Sequence, residues 1–114
     1  MNASNKKTYS HEDILKLIPI KNRQYVHRNP KEIDILVPRF KISFLQNLLP
    51  EGRKYILANL DEIGSYTWEL IDGKNNIKEI IFNVREKFGQ EVEPAAERVT
   101  LFLQKMHSNN FIIF

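Results

Sequence analysis

The sequence predicts an α+β protein, with three β-strands in the first half followed by three helices in the second. Between Arg23 and Asn59, β-branched and aromatic residues alternate over short stretches separated by proline and glycine. From Leu60 onward, apolar residues recur at steps of three and four. The period changes once along the chain, so strands and helices are segregated rather than interleaved.

The elements follow in order. Met1 to Ser10 is polar and lysine-bearing and reads as a loose arm, with no apolar stretch that would make a signal peptide. Ser10 and Asp13 fit the cap of a short helical turn over Ile14, Leu15 and Leu17 that Pro19 ends; an apolar clip packed on the body fits equally well. Residues 1–22 are therefore assigned to an N-terminal arm and 23–114 to one domain. "RQYVHR" (Arg23 to Arg28) and "EIDILVPRF" (Glu32 to Phe40) read as an antiparallel pair turning at Asn29-Pro30, and Pro38 limits the second strand because it cannot donate to a ladder. "KISFLQNLLPEG" (Lys41 to Gly52) fits a short amphipathic helix nearly as well as a strand, and Pro50-Glu51-Gly52 closes it with a turn. "RKYILAN" (Arg53 to Asn59) is the third strand, with Tyr55 and Leu57 on one face and Ile56 and Ala58 on the other.

Asp61 is a good N-cap for a first helix reaching about Ile71, with Leu60, Ile63, Thr67, Leu70 and Ile71 on one stripe. Gly64 stands inside it, where glycine costs about 1 kcal/mol relative to alanine. Trp68, the only tryptophan, reads as a core anchor, and Gly64 as a point where the helix approaches a neighbour closely. Asp72-Gly73 stops this helix, and Asn76 with Glu79 forms a capping box for the next. Ile77, Ile80, Ile81, Val84 and Phe88 keep helical spacing up to Gly89. Pro94 suits the first turn of a third helix, with Val99, Phe102, Leu103 and Met106 inward. Asn109-Asn110 breaks it, and "FIIF" ends the sequence as a short apolar strand or clip. Three short helices with tight turns are also what a winged-helix or helix-turn-helix core looks like.

Bulk properties narrow the function. At 114 residues, 42% hydrophobic and 27% charged, the chain reads as a single soluble domain with room for one modest core. No run approaches the roughly 18 apolar residues needed to cross a bilayer. The absence of cysteine rules out disulfides, thiolate nucleophiles and cysteine-ligated metal centres, and a cytoplasmic location is expected. Lys and Arg outnumber Asp and Glu by 11 to 5 over residues 1–59, but are outnumbered 6 to 9 over residues 60–114. A recognition helix needs several cations to neutralise phosphates. The third helix offers only Arg98 and Lys105, with Glu93 and Glu97 near its start, so nucleic acid is not the expected partner, although a basic β-ribbon or a winged-helix DNA-binding protein is the alternative to keep.

Catalytic constellations are missing. His11, His27 and His107 lie in different elements, without a second ligand at metal-binding spacing. Gly52, Gly64, Gly73 and Gly89 are isolated, so no phosphate loop is present. Neither an enzyme, nor a metal, nor a cofactor is expected. What folding leaves over is a stripe of Arg98, Leu101 and Lys105 on the third helix. It is either a solvated face with one stray leucine or a shallow groove for an apolar, acidic segment. If the third strand is an edge, "KYILA" would offer unpaired backbone groups, the template for strand addition by a peptide.

The quoted residues also carry a resemblance. "LDEIGSYTWELIDGKNNIKEI" (Leu60 to Ile80), "FG" at Phe88-Gly89, "VEPAAERVTLFLQKM" and "NNFI" together resemble the PqqD-like family nearly continuously from Leu60 to Ile112. "LIPIKN" (Leu17 to Asn22) and "ILVPRF" (Ile35 to Phe40) are similar to the N-terminal half of one of its branches. Asn110 departs by standing where glycine is common, and Lys41 to Gly52 is longer and more apolar than a minimal member needs. The resemblance implies a winged-helix-like fold of three strands and three helices without catalytic activity. It implies a peptide chaperone, or RiPP recognition element, that holds the leader of a ribosomally made precursor peptide and presents it to a radical SAM enzyme, in the founding case for coenzyme PQQ. Carried over, the leader would add beside the third strand and lie against the third helix. The expected binding residues are then Lys54, Tyr55, Ile56, Leu57, Ala58, Arg98, Leu101, Phe102 and Lys105. The expected partners are the precursor peptide and the radical SAM enzyme, with no membrane. A homodimer through "FIIF" or Lys41 to Gly52 is a further reading.

Overall fold

A computed structural model describes residues 10–39 and 46–114. In chain order it holds α1 (His11–Leu15), β1 (Ile20–Lys21), β2 (Tyr25–Asn29), β3 (Glu32–Pro38), β4 (Tyr55–Asn59), α2 (Glu62–Glu69), α3 (Ile77–Phe88), α4 (Ala95–Ser108) and β5 (Ile112–Ile113). Short 3-10 turns at Glu51–Arg53 and Gly89–Val92 precede β4 and α4. The architecture is α+β, a sheet followed by helices.

The expectation of three strands and three helices is met in the sheet and exceeded elsewhere. β2, β3 and β4 are the three expected strands and form one antiparallel sheet in the order β2-β3-β4. Four α-helices are described, not three. The additional one is α1, where Ser10 and Asp13 make a complete capping box. The segment that alternated between capped turn and apolar clip is both, because Ile14, Leu15 and Leu17 from this arm pack on the core. β1 and β5 add a second, two-stranded sheet that pairs Ile20 with Ile113 and Lys21 with Ile112. The first helix of the second half stops at Glu69, short of Ile71, capped by Leu70. Of the reading of Lys41 to Gly52, residues 41–45 lie outside the described residues, as do the first nine.

The core sits where one face of the sheet meets the helices. Ile33 and Ile35 of β3 are 1% and 0% exposed and pack with Trp68, Ile77, Ile80, Val84, Val99, Leu103 and Ile112. Trp68 is fully buried, its ring set edge-on to Tyr25 at 5.9 Å between centroids. The expected caps hold: Asp61 accepts from Gly64 N–H at 2.7 Å, and Asn76 and Glu79 bond reciprocally. Past α2, Asp72 accepts from the N–H groups of Lys74 and Asn75 while Gly73 takes φ +78°. Asn110 takes φ +62°. That left-handed conformation is one glycine enters freely and asparagine tolerates better than most residues, so it explains why asparagine can stand there.

Candidate strand-addition site

β4 is an edge of its sheet among the described residues. Its ladder with β3 fixes which backbone groups are used. Leu60 N–H donates to Ile33 O at 2.9 Å, and Arg39 N–H donates to Lys54 O at 3.0 Å. The backbone direction alternates along an antiparallel strand. Lys54, Ile56, Ala58 and Leu60 therefore face β3, and Tyr55, Leu57 and Asn59 turn their N–H and C=O groups away from it. Cross-strand pairing of Ile35 with Ala58 and Val37 with Ile56 puts Ile56 and Ala58 on the helix-facing side. Tyr55 and Leu57 share the opposite face with Pro38 and Leu36. Tyr55, Ile56 and Leu57 are 37%, 51% and 49% exposed, unusual for such residues in a sheet.

The far end of β4 opens into a cleft of about 350 Å³ between α2 and α4, lined by Asn59, Leu60, Ile63, Gly64, Arg98 and Phe102 among others. Phe102 is half-buried, and a Cβ at Gly64 would lie 3.3 Å from its Cε1 and 3.1 Å from Asp61 Oδ1. The close approach expected of Gly64 is this one: the ring of α4 and the cap of its own helix occupy the space of a side chain. Arg98 is held at the mouth by donating Nη1–H to Glu91 O at 3.0 Å. Leu101, 56% exposed, and Lys105 project from α4 outside that lining.

The structure thus brings Arg98 and Phe102 to the end of the strand. Lys54 to Ala58 form the edge leading there rather than the cleft itself. Asn59, Ile63 and Gly64 belong to the cleft and were missed as site residues. The mid-helix glycine was the one signal of them in the sequence. Also missed was the corner where β4 gives way to α2. There Ile33 N–H donates to Ser65 Oγ at 2.8 Å, Ser65 Oγ–H to Leu60 O at 3.4 Å, and Arg28 Nη2–H to Leu60 O at 3.1 Å.

Electrostatics support these positions. Glu93 accepts from Ala95 N–H at the start of α4, and this bond, with Arg85 beside it, holds its carboxyl below the ordinary glutamate value. Asp72 is lowered in the same way by the N–H groups of Asn75 and Lys74. Burial lowers the Lys21 ammonium, which lies over the Tyr25 ring at 5.2 Å and the Trp68 ring at 5.7 Å. His27, set aside as a ligand, bonds Glu69 Oε1 through Nε2 at 2.9 Å. No group of three or more metal-ligating side chains occurs among the described residues, and no helix among them is long and apolar enough to cross a membrane.

These elements define a small α+β fold whose sheet ends, among the described residues, in an edge strand beside a helix-lined cleft. The model of the family described as coenzyme PQQ synthesis protein D (PqqD) matches residues 48–112, more than half of the chain, and the chain belongs to that family. No curated protein and no solved structure matches it.

Proposed function

We propose that this protein is a non-catalytic, cytoplasmic peptide chaperone that takes the leader segment of a ribosomally made precursor peptide as a fourth strand beside β4 and presents it to a radical SAM enzyme. The observation that carries this reading is the alternation along β4, which leaves Tyr55, Leu57 and Asn59 with outward backbone groups on an apolar edge. Added strands gain affinity from main-chain bonds and selectivity from side-chain pockets. In this reading the main-chain bonds fall on Tyr55, Leu57 and Asn59. Ile56, Ala58, Leu101 and Phe102 meet apolar side chains of the leader, and Lys54, Arg98 and Lys105 favour acidic ones. The gain for the reaction is local concentration: a tethered substrate meets the modifying enzyme intramolecularly. Residues 23–114 act as the binding unit in a winged-helix-like arrangement, with 1–22 as an arm whose part from residue 10 lies on the body.

The test is a titration followed by amide resonances, using a synthetic leader peptide from the small precursor gene beside the gene for this chain. Shifts at Tyr55, Leu57, Asn59 and Arg98 to Lys105 are expected. No binding at high micromolar peptide, or shifts confined to other surfaces, rejects the reading. Self-association is a second reading, favoured by the exposed Ile113 and Phe114. Light scattering before and after removal of residues 111–114 decides it, an unchanged mass counting against it.

A further inference from the structure

The β2–β3 ladder slips between His27 and Asn29: His27 pairs with Ile33, Asn29 with Glu32, and Arg28 is the extra residue of a bulge. Bulges re-aim a side chain, and here the side chain reaches the far side of the sheet. Arg28 Nη1–H bonds the carboxylate of Asp34, which is only 5% exposed, on the central strand. Nη2–H donates to Leu60 O at 3.1 Å, beyond the edge strand, with Glu32 Oε1 at 3.3 Å from the same nitrogen. Leu60 O is the last acceptor of the β3–β4 ladder. The N–H that would ordinarily reach it, on Ile33, goes instead to Ser65 Oγ. Leu60 lies between Asn59, the last outward-facing edge residue, and Asp61, the cap of α2, and it lines the cleft beside Phe102. One guanidinium therefore ties the central strand to the point where the open edge meets the cleft.

We infer that Arg28 is a positioning residue for strand addition: it touches no peptide, but by holding Leu60 O it fixes the angle between the β4 edge and the α2–α4 cleft. This rests on the peptide-binding reading above. A planar guanidinium with several donors serves two partners at once, whereas lysine is a point donor and keeps only one. Arg28→Lys is therefore expected to retain the pairing with Asp34 and the fold while leaving Leu60 O with only the longer, 3.4 Å bond from Ser65 Oγ–H. Arg28→Met removes both contacts.

The experiment compares the unmodified chain with Arg28→Lys and Arg28→Met by thermal melting, by site-resolved amide exchange without peptide, and by titration with the same synthetic leader. For Arg28→Lys the melt is expected to stay near that of the unmodified chain, and exchange at Leu60 to rise. Affinity is expected to fall about tenfold, which is about 1.4 kcal/mol. The loss should be graded along the strand, with peptide-induced shifts disappearing at Asn59 and persisting at Tyr55. A purely structural role would weaken the whole edge evenly and in step with the melt. Unchanged affinity, or an even loss along the edge, overturns the inference. If Arg28→Met does not fold, Arg28→Lys alone decides. If the unmodified chain itself does not bind the leader, the peptide reading fails, and the tether to Leu60 is judged by amide exchange in the free protein, where unchanged exchange overturns it.

Discussion

β3 and β4 are made of similar residues and have opposite fates. "EIDILVP" and "YILAN" both carry isoleucine followed directly by leucine. Yet Ile35 is fully buried while its neighbour one strand away, Ile56, is half exposed. β3 is paired on both sides and covered by helices, whereas among the described residues β4 is paired on one side only and its outer ladder positions face outward. Hydrophobicity therefore records only that a segment is a strand; topology decides whether its apolar side chains are buried in the core or left exposed.

The sharpest way to break this comparison is a matched pair of truncations. Ile35→Ala should cost about 2–5 kcal/mol, as a methyl-rich side chain lost from a closed core does. Ile56→Ala should cost less, about 1 kcal/mol, because Ile56 is already half exposed. Chemical denaturation measures both, and equal losses would mean that β4 is as central as β3. Next in size, Gly64→Leu should cost about 1–3 kcal/mol by overpacking against Phe102 and Asp61 and should also narrow the cleft, read as a lower melting temperature with weaker leader binding. A proline pair tests the register within β4. Ile56→Pro deletes a donor to β3 and should cost about 1 kcal/mol or more. Leu57→Pro deletes an outward one, so the melt should hold while leader binding weakens. Smaller again, Asn110→Ala should cost about 1 kcal/mol at its left-handed φ, while Asn110→Gly should cost nothing.

Acid gives the gentlest test. Asp72 and Glu93 have folded-state pKa values below their ordinary ones, so their contribution is present above the ordinary carboxylate range and is lost as pH falls through the lowered values. Both are surface groups, and a modest decline in melting temperature below about pH 4 is expected. Asp72→Asn and Glu93→Gln should each flatten that decline.

Much of this was legible in the sequence, and the reason is local chemistry. Asp61, Asn76–Glu79 and the spacing of Ile77 to Phe88 each state their structure within a few residues, and each was placed correctly; Gly73 takes a left-handed φ, but past a helix that already ends at the Leu70 cap. Trp68 and Gly64 were read as anchor and close approach, and the buried ring and the Phe102 contact agree. The edge character of β4 was a conditional, because strand order depends on pairing between distant segments and no local pattern encodes it. The pairing of β1 with β5 escaped for the same reason, two residues being too few to show a period. Of the cleft residues, Arg98 stood out by helical spacing, whereas the same spacing assigned Phe102 to the core and only the family resemblance added it to the expected binding set. Asn59 and Ile63 were not legible as site residues, since they join the cleft only when α2 folds against α4. Arg28 looked like an ordinary strand cation until the bulge aimed it.

The β1–β5 pair also bears on the order of events during synthesis. The β2–β3 hairpin turns within a few residues and can form as soon as it leaves the ribosome. β1, made earlier, must wait for Ile112 and Ile113, nearly the whole chain later. Loop closure on that scale is slow relative to local pairing. The pairing of Ile20 with Ile113 and of Lys21 with Ile112 is therefore expected to close later than the local β2–β3 turn.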